Sequence, residues 1–130
     1  MIVGLLVASL AMFSCGGGGG GYGGGGGGNS IAAPGAFSLI APSPADTATS
    51  VGTTPTFAWT ASSDATVYSV QVDTTGAFTG PFVINVALNA PTSSYSVPAS
   101  TLSSGTTYHW RILAQNAYGQ AVAGPRTFTT

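Results

Sequence analysis

The stretch Thr107–Asn116 constrains the fold more than any other. Side chains along a strand alternate between faces. Read that way, Tyr108, Trp110, Ile112 and Ala114 fall on one side, and His109, Arg111, Leu113 and Gln115 on the other. The first set is apolar and tapers from bulky to small, as a core face does. The second is polar apart from Leu113. One buried and one wet face is the pattern of an antiparallel sheet, so this stretch reads as the central strand of a small all-β domain. Asn116, Ala117, Tyr118 and Gly119 follow it as a turn.

Six further strands can be placed around it. Residues 37–40 form a first, stopped by Pro42 and Pro44. Residues 55–60 form a second, with Phe57 and Trp59 inward. Residues 66–73 alternate cleanly as a third, with Tyr68, Val70 and Val72 inward. Thr74, Thr75 and Gly76 turn the chain, and Gly80-Pro81 marks a second bend before a fourth strand over residues 82–86. Residues 94–97 make a short fifth, ended by Pro98. The central strand is sixth, and residues 126–130 close the domain as the seventh. About seven short strands with turn signals between them predict a two-sheet antiparallel sandwich.

The order of these residues resembles the fibronectin type III domain over residues 35–130. Phe57-Ala58-Trp59 lies on the second strand and Tyr68-Ser69-Val70 on the third. Leu102, Gly105, the run from Tyr108 to Asn116 and then Gly119 follow in order. The resemblance implies an immunoglobulin-like seven-stranded sandwich with Trp59, Tyr68, Tyr108 and Trp110 in the core. It also implies that Tyr108 is a tyrosine-corner residue, its hydroxyl bonding backbone near Leu102. An antibody-type domain would carry a cysteine pair between the sheets, and none is present.

The N-terminal part is of a different kind. Residues 2–13 are an apolar run closed by Ser14 and Cys15. A membrane-spanning helix needs roughly 20 such residues, whereas the apolar region of an export signal needs roughly 7–15. Met12-Phe13-Ser14-Cys15 resembles the lipobox of bacterial lipoproteins, although no Lys or Arg precedes the run. The resemblance implies a signal peptide over residues 1–14 and acyl chains on Cys15, with the membrane as partner through that anchor. Gly16 is not the Asp associated with inner-membrane retention, so it implies the cell outer membrane. An ordinary cleaved signal, with Cys15 as an incidental thiol and the domain secreted, is the other reading. Residues 15–34 read as a linker, because residues 16–28 are glycine except for Tyr22 and offer no side chains to bury. Some twenty such residues reach about 25 Å. The run matches a G-x-G-x-x-G pattern only trivially, since no strand precedes it and no helix follows.

Charge removes several function classes. The chain has two Arg, three Asp and no Lys or Glu, for a formal net charge of -1. Nucleic-acid binding needs several cations to neutralise phosphates, and Arg111 with Arg126 are too few. His109 is the one histidine, and no second histidine or cysteine joins it for a zinc site. No nucleophile motif is present. Asp46, Asp64 and Asp73 fall in three separate turns rather than in a converging carboxylate set. No cofactor and no catalytic role are expected.

What remains is a binding module. In the implied fold, Asp64, Asn89 and Tyr118 lie in loops at one end. Asp64, Asn116 and Tyr118, with Gln120, form a candidate contact patch for a sugar or a protein. The function expected is that of a non-enzymatic envelope lipoprotein displaying a fibronectin-type module for adhesion or for protein or polysaccharide binding. The alternative is an accessory or spacer module of a secreted polysaccharide-acting enzyme.

Overall fold

The computed structural model describes residues 32–130. The export signal, Cys15 and the glycine run lie outside the described residues. Seven strands form two antiparallel sheets: β1 (Leu39–Ile40), β2 (Thr56–Trp59) and β5 (Ser94–Ser96) in order β1-β2-β5, and β3 (Val67–Asp73), β4 (Ile84–Asn89), β6 (Thr107–Asn116) and β7 (Gly119–Thr129) in order β4-β3-β6-β7. This is an immunoglobulin-like, two-sheet antiparallel sandwich, with β4 on the sheet of β3, β6 and β7.

The inward parity of β6 holds. Tyr108, Trp110, Ile112 and Ala114 are buried. They face Phe57 and Trp59 from β2, so that the Phe57 and Trp110 rings stack with centroids 4.5 Å apart, while Trp59 meets Tyr68 at 5.4 Å and Tyr108 meets Phe128 at 5.6 Å. Aromatic pairs at these separations contribute beyond their area alone. Both indoles are buried, and neither Nε1 has a hydrogen-bond acceptor among the described residues.

Two strand boundaries differ from expectation. The fourth strand runs over Ile84–Asn89, not 82–86. Pro81 and Phe82 belong to the preceding loop, and β4 continues to Asn89 because β3 offers Val67 as its partner there. The seventh strand starts at Gly119 rather than Arg126. Gly124-Pro125 reads as a break in sequence. In the structure it is a bulge: Trp110 pairs with Arg126 and Ile112 with Ala123, so two residues of β7 oppose Arg111. Gly124 has φ +106°, and a Cβ there would approach the Trp110 carbonyl oxygen to 3.1 Å. Glycine is therefore required at that position. After the bulge Arg126 shares the inward side with Trp110, and its guanidinium reaches the Leu39 carbonyl of the other sheet at 3.4 Å.

The end of β7 is covered. Residues 46–51 run beside it in parallel, with Ala48 bridged to Phe128. Thr47 N–H donates to Thr127 O, Thr129 N–H to Ala48 O, and Val51 N–H to Thr129 O. Asp46 Oδ1 accepts from Thr127 N–H at 2.9 Å.

Candidate functional site

The register places three loops at one end of the sandwich, since Val67 pairs with both Asn89 and Gln115. Asp64 precedes β3 and Tyr118 lies in the β6–β7 turn, so the candidate patch does assemble there. Its members behave differently. Tyr118 is 57% exposed. Asp64 is exposed and takes a left-handed φ of +63°.

Asn116 is committed within the protein. Its Nδ2 donates to the Ala32 carbonyl at 2.8 Å and to the Asp64 carbonyl at 2.9 Å. Its Oδ1 accepts from Tyr118 N–H at 2.8 Å and Gly119 N–H at 3.1 Å. An amide side chain has two donor hydrogens and two acceptor lone pairs, and all four are used. Asn116 thus closes the turn and ties the β2–β3 loop to the segment entering β1. Gln120 is likewise engaged, accepting from Gln115 Nε2 at 3.4 Å.

That entering segment packs on the domain. Residues 32–34, read from sequence as the end of the linker, lie against this same end: Pro34 is buried and the Ala33 methyl sits over Gly119. Gly35 N–H donates to Ser63 O at 3.1 Å, and Ser62 Oγ donates back to Gly35 O at 2.6 Å. Tyr68 completes the corner by accepting Ser62 N–H on its hydroxyl at 2.8 Å. The chain therefore reaches the sandwich beside Tyr118.

Tyr108 acts at the opposite end. Its hydroxyl accepts Ser103 N–H at 2.9 Å, which is the geometry that the tyrosine-corner resemblance implies. Here too a structured loop covers the outer face of the larger sheet. Asp73, buried beside the loop over residues 74–80, accepts from Thr75 Oγ1 at 2.8 Å, Phe78 N–H at 3.0 Å and Thr75 N–H at 3.2 Å. The Thr75 hydroxyl does most to hold its carboxyl below the ordinary 3.8, with the N–H groups of Thr75, Phe78 and Thr74 adding to it and burial opposing. Phe78 is held at φ +53°, unusual for a bulky residue. Its ring packs under the Arg111 guanidinium, 4.3 Å from centroid to Cζ. Arg111 Nε also donates to Gln71 Oε1 at 2.8 Å.

His109 is half-buried against this loop, not open to solvent. A Cβ on Gly76 would lie 2.9 Å from its Nδ1, and Gly76 has φ +74°. Sequence reasoning placed the turn but treated Asp73 as one more turn residue, and did not foresee that the loop packs back on Arg111 and His109. The signal available was Asp73 two residues before Thr75, an Asx-type turn. Among the described residues no group of three or more His, Cys, Asp or Glu could hold a metal, and no helix is long and apolar enough to cross a membrane.

No protein-family model matches the chain, and neither does any curated protein sequence. Similar solved structures include a Fn3-like protein from Clostridium thermocellum, at 21% identity and a TM-score of 0.48, covering 75% of this chain and 91% of that one. Another is described as FN3tt mut, at 16% identity and a TM-score of 0.46, covering 76% and 96%. The class of this domain is read from its own strand order: an all-β sandwich of three and four antiparallel strands.

Proposed function

We propose that the chain is a non-enzymatic cell-envelope lipoprotein. In this reading, acyl chains on Cys15 hold it at the outer membrane, and the sandwich is displayed for adhesion or for binding a protein or polysaccharide. One observation carries the proposal: the only cysteine stands where the apolar run ends and the glycine run begins. Two or more acyl chains give stable attachment, at about 0.8 kcal/mol per buried CH₂. The seating of residues 32–35 supports a defined exit for the tether, beside Tyr118 and Asp64. The opposite end, with the loop over residues 74–80 and the Tyr108 corner, is then the one presented away from the anchor.

The test is incorporation of labelled palmitate by the intact protein in a Gram-negative host, compared with Cys15→Ser. Label that disappears with the substitution is the expected result. An unlabelled, freely secreted wild-type protein overturns the anchor. A spacer or accessory module beside a secreted polysaccharide-acting enzyme is the second reading. The complete internal use of the Asn116 amide favours it, because the patch is left with few free polar groups.

A further inference from the structure

The sheet edges of this domain are not alike. On the smaller sheet they are β1 and β5, of two and three residues, too short to template a partner. On the larger sheet, β7 is kinked by the Gly124-Pro125 bulge, covered by residues 46–51 over its last part and crowded by Ala33 at Gly119. The other edge is β4. It pairs with β3 in unbroken register over all six of its residues, and it contains no charge, proline or glycine. Edge strands are ordinarily protected by such residues, by bulges or by a covering segment; from Asn85 to Asn89 β4 shows no charge, proline, glycine or register shift, the ladder changing step only before it, where Val83 N–H reaches the Val72 carbonyl at 2.9 Å.

Its free groups can be assigned. Ala90 N–H donates to Thr66 O at 3.0 Å. By the alternation of an antiparallel ladder, Leu88, Val86 and Ile84 then turn their N–H and C=O groups toward β3, while Ala87 and Asn85 turn theirs outward. The Asn89 carbonyl is already taken by Thr92 N–H. Val86 and Leu88 are half-buried at the open flank of the core, and Ala87 is small and exposed.

We infer that β4 is an interface for a second copy of this chain, pairing antiparallel with its own equivalent about a twofold axis at Val86. That register sets Asn85 opposite Ala87 of the other copy, twice, and uses only the outward groups left free. The interface is isologous and closes at two copies. Self-pairing is favoured because the edge is uncharged and the whole chain carries a net charge of only -1, so no repulsion opposes two like surfaces. Pairing also covers the exposed flanks of Val86 and Leu88. The inference stands independently of the lipid anchor.

The experiment is sedimentation equilibrium on the full chain carrying Cys15→Ser, which removes thiol bridging, with and without Ala87→Lys. A concentration-dependent dimer is expected. Ala87→Lys, which sets two like charges near the axis, should weaken it by about tenfold or more while leaving the circular dichroism spectrum and, at concentrations where both proteins are monomeric, the melting midpoint unchanged. If Ala87→Lys does not fold, Asn85→Lys at the exposed neighbouring position gives the same readout. A monomer at all concentrations overturns the inference, as does a dimer indifferent to the lysine or assembly beyond two copies.

Discussion

Trp59 and Asn116 show two ways in which one residue can matter. Trp59 is 1% exposed at the end of β2. An aromatic side chain of this size buries about 150–250 Å², worth roughly 4–6 kcal/mol as an upper bound. Trp59→Ala is expected to cost about 3–5 kcal/mol, a large part of a typical domain stability of about 5–15 kcal/mol. Urea denaturation measures this, and a midpoint left in place would contradict the packing described. Trp59 was legible because a core aromatic announces itself by parity. Asn116 was legible only as a turn former and patch member. Its second job, fixing Ala32 and Asp64, depends on residues 84 and 52 positions away along the chain. No local pattern encodes that.

At the scale of elements, the central strand was read correctly end to end because its inward set alternates throughout; the exception is Leu113, which is buried on the opposite face. β7 is longer than the sequence suggests, since it runs through Gly124-Pro125, a pair that local rules treat as a break. The structure absorbs it by letting two residues oppose Arg111. Gly124→Ala is therefore expected to destabilise the domain by about 1–3 kcal/mol, since the new methyl meets the Trp110 carbonyl at a positive φ. A thermal melt checks this, and an unchanged midpoint would mean that the bulge relaxes freely. The β3–β4 loop responds to acid. The Asp73 carboxyl is held below 3.8 in the fold, so its contribution is fully present above that value. It is lost as the pH falls through 3.8 and on to the lower folded value. The protection of Phe78 N–H against hydrogen exchange, relative to its intrinsic rate, is expected to fall over that window ahead of that of core amides. Exchange that tracks global unfolding at every acid pH would show that the loop has no separate equilibrium.

The described residues form a sandwich whose two ends do different work. One end receives the chain and is locked by Asn116, Ser62 and Tyr68. The other is held by Tyr108 and by Asp73 with its loop. The fold class and the core followed from strand parity, and grouping Asp64, Asn89 and Tyr118 at one end followed from the fold that the resemblance implied. The arrival of the chain at that same end did not, because it rests on backbone contacts of Ala32, Ala33 and Gly35 that composition does not mark.

The parallel run of residues 46–51 along the end of β7 has a mechanical consequence. Suppose the domain is stretched between its N-terminal side and the end of β7. The pull then acts along these two segments in opposite directions. Their hydrogen bonds, from Thr47, Thr129, Val51 and Asp46, are loaded in shear and resist together, whereas an antiparallel hairpin pulled from its open end peels one bond at a time. Asp46→Ala removes one member of that set and is expected to lower the rupture force in single-molecule stretching. A force unaffected by the change would place the mechanical barrier elsewhere. A domain with this clamp is expected to yield late when stretched between its two ends, the parallel segments parting together rather than in sequence.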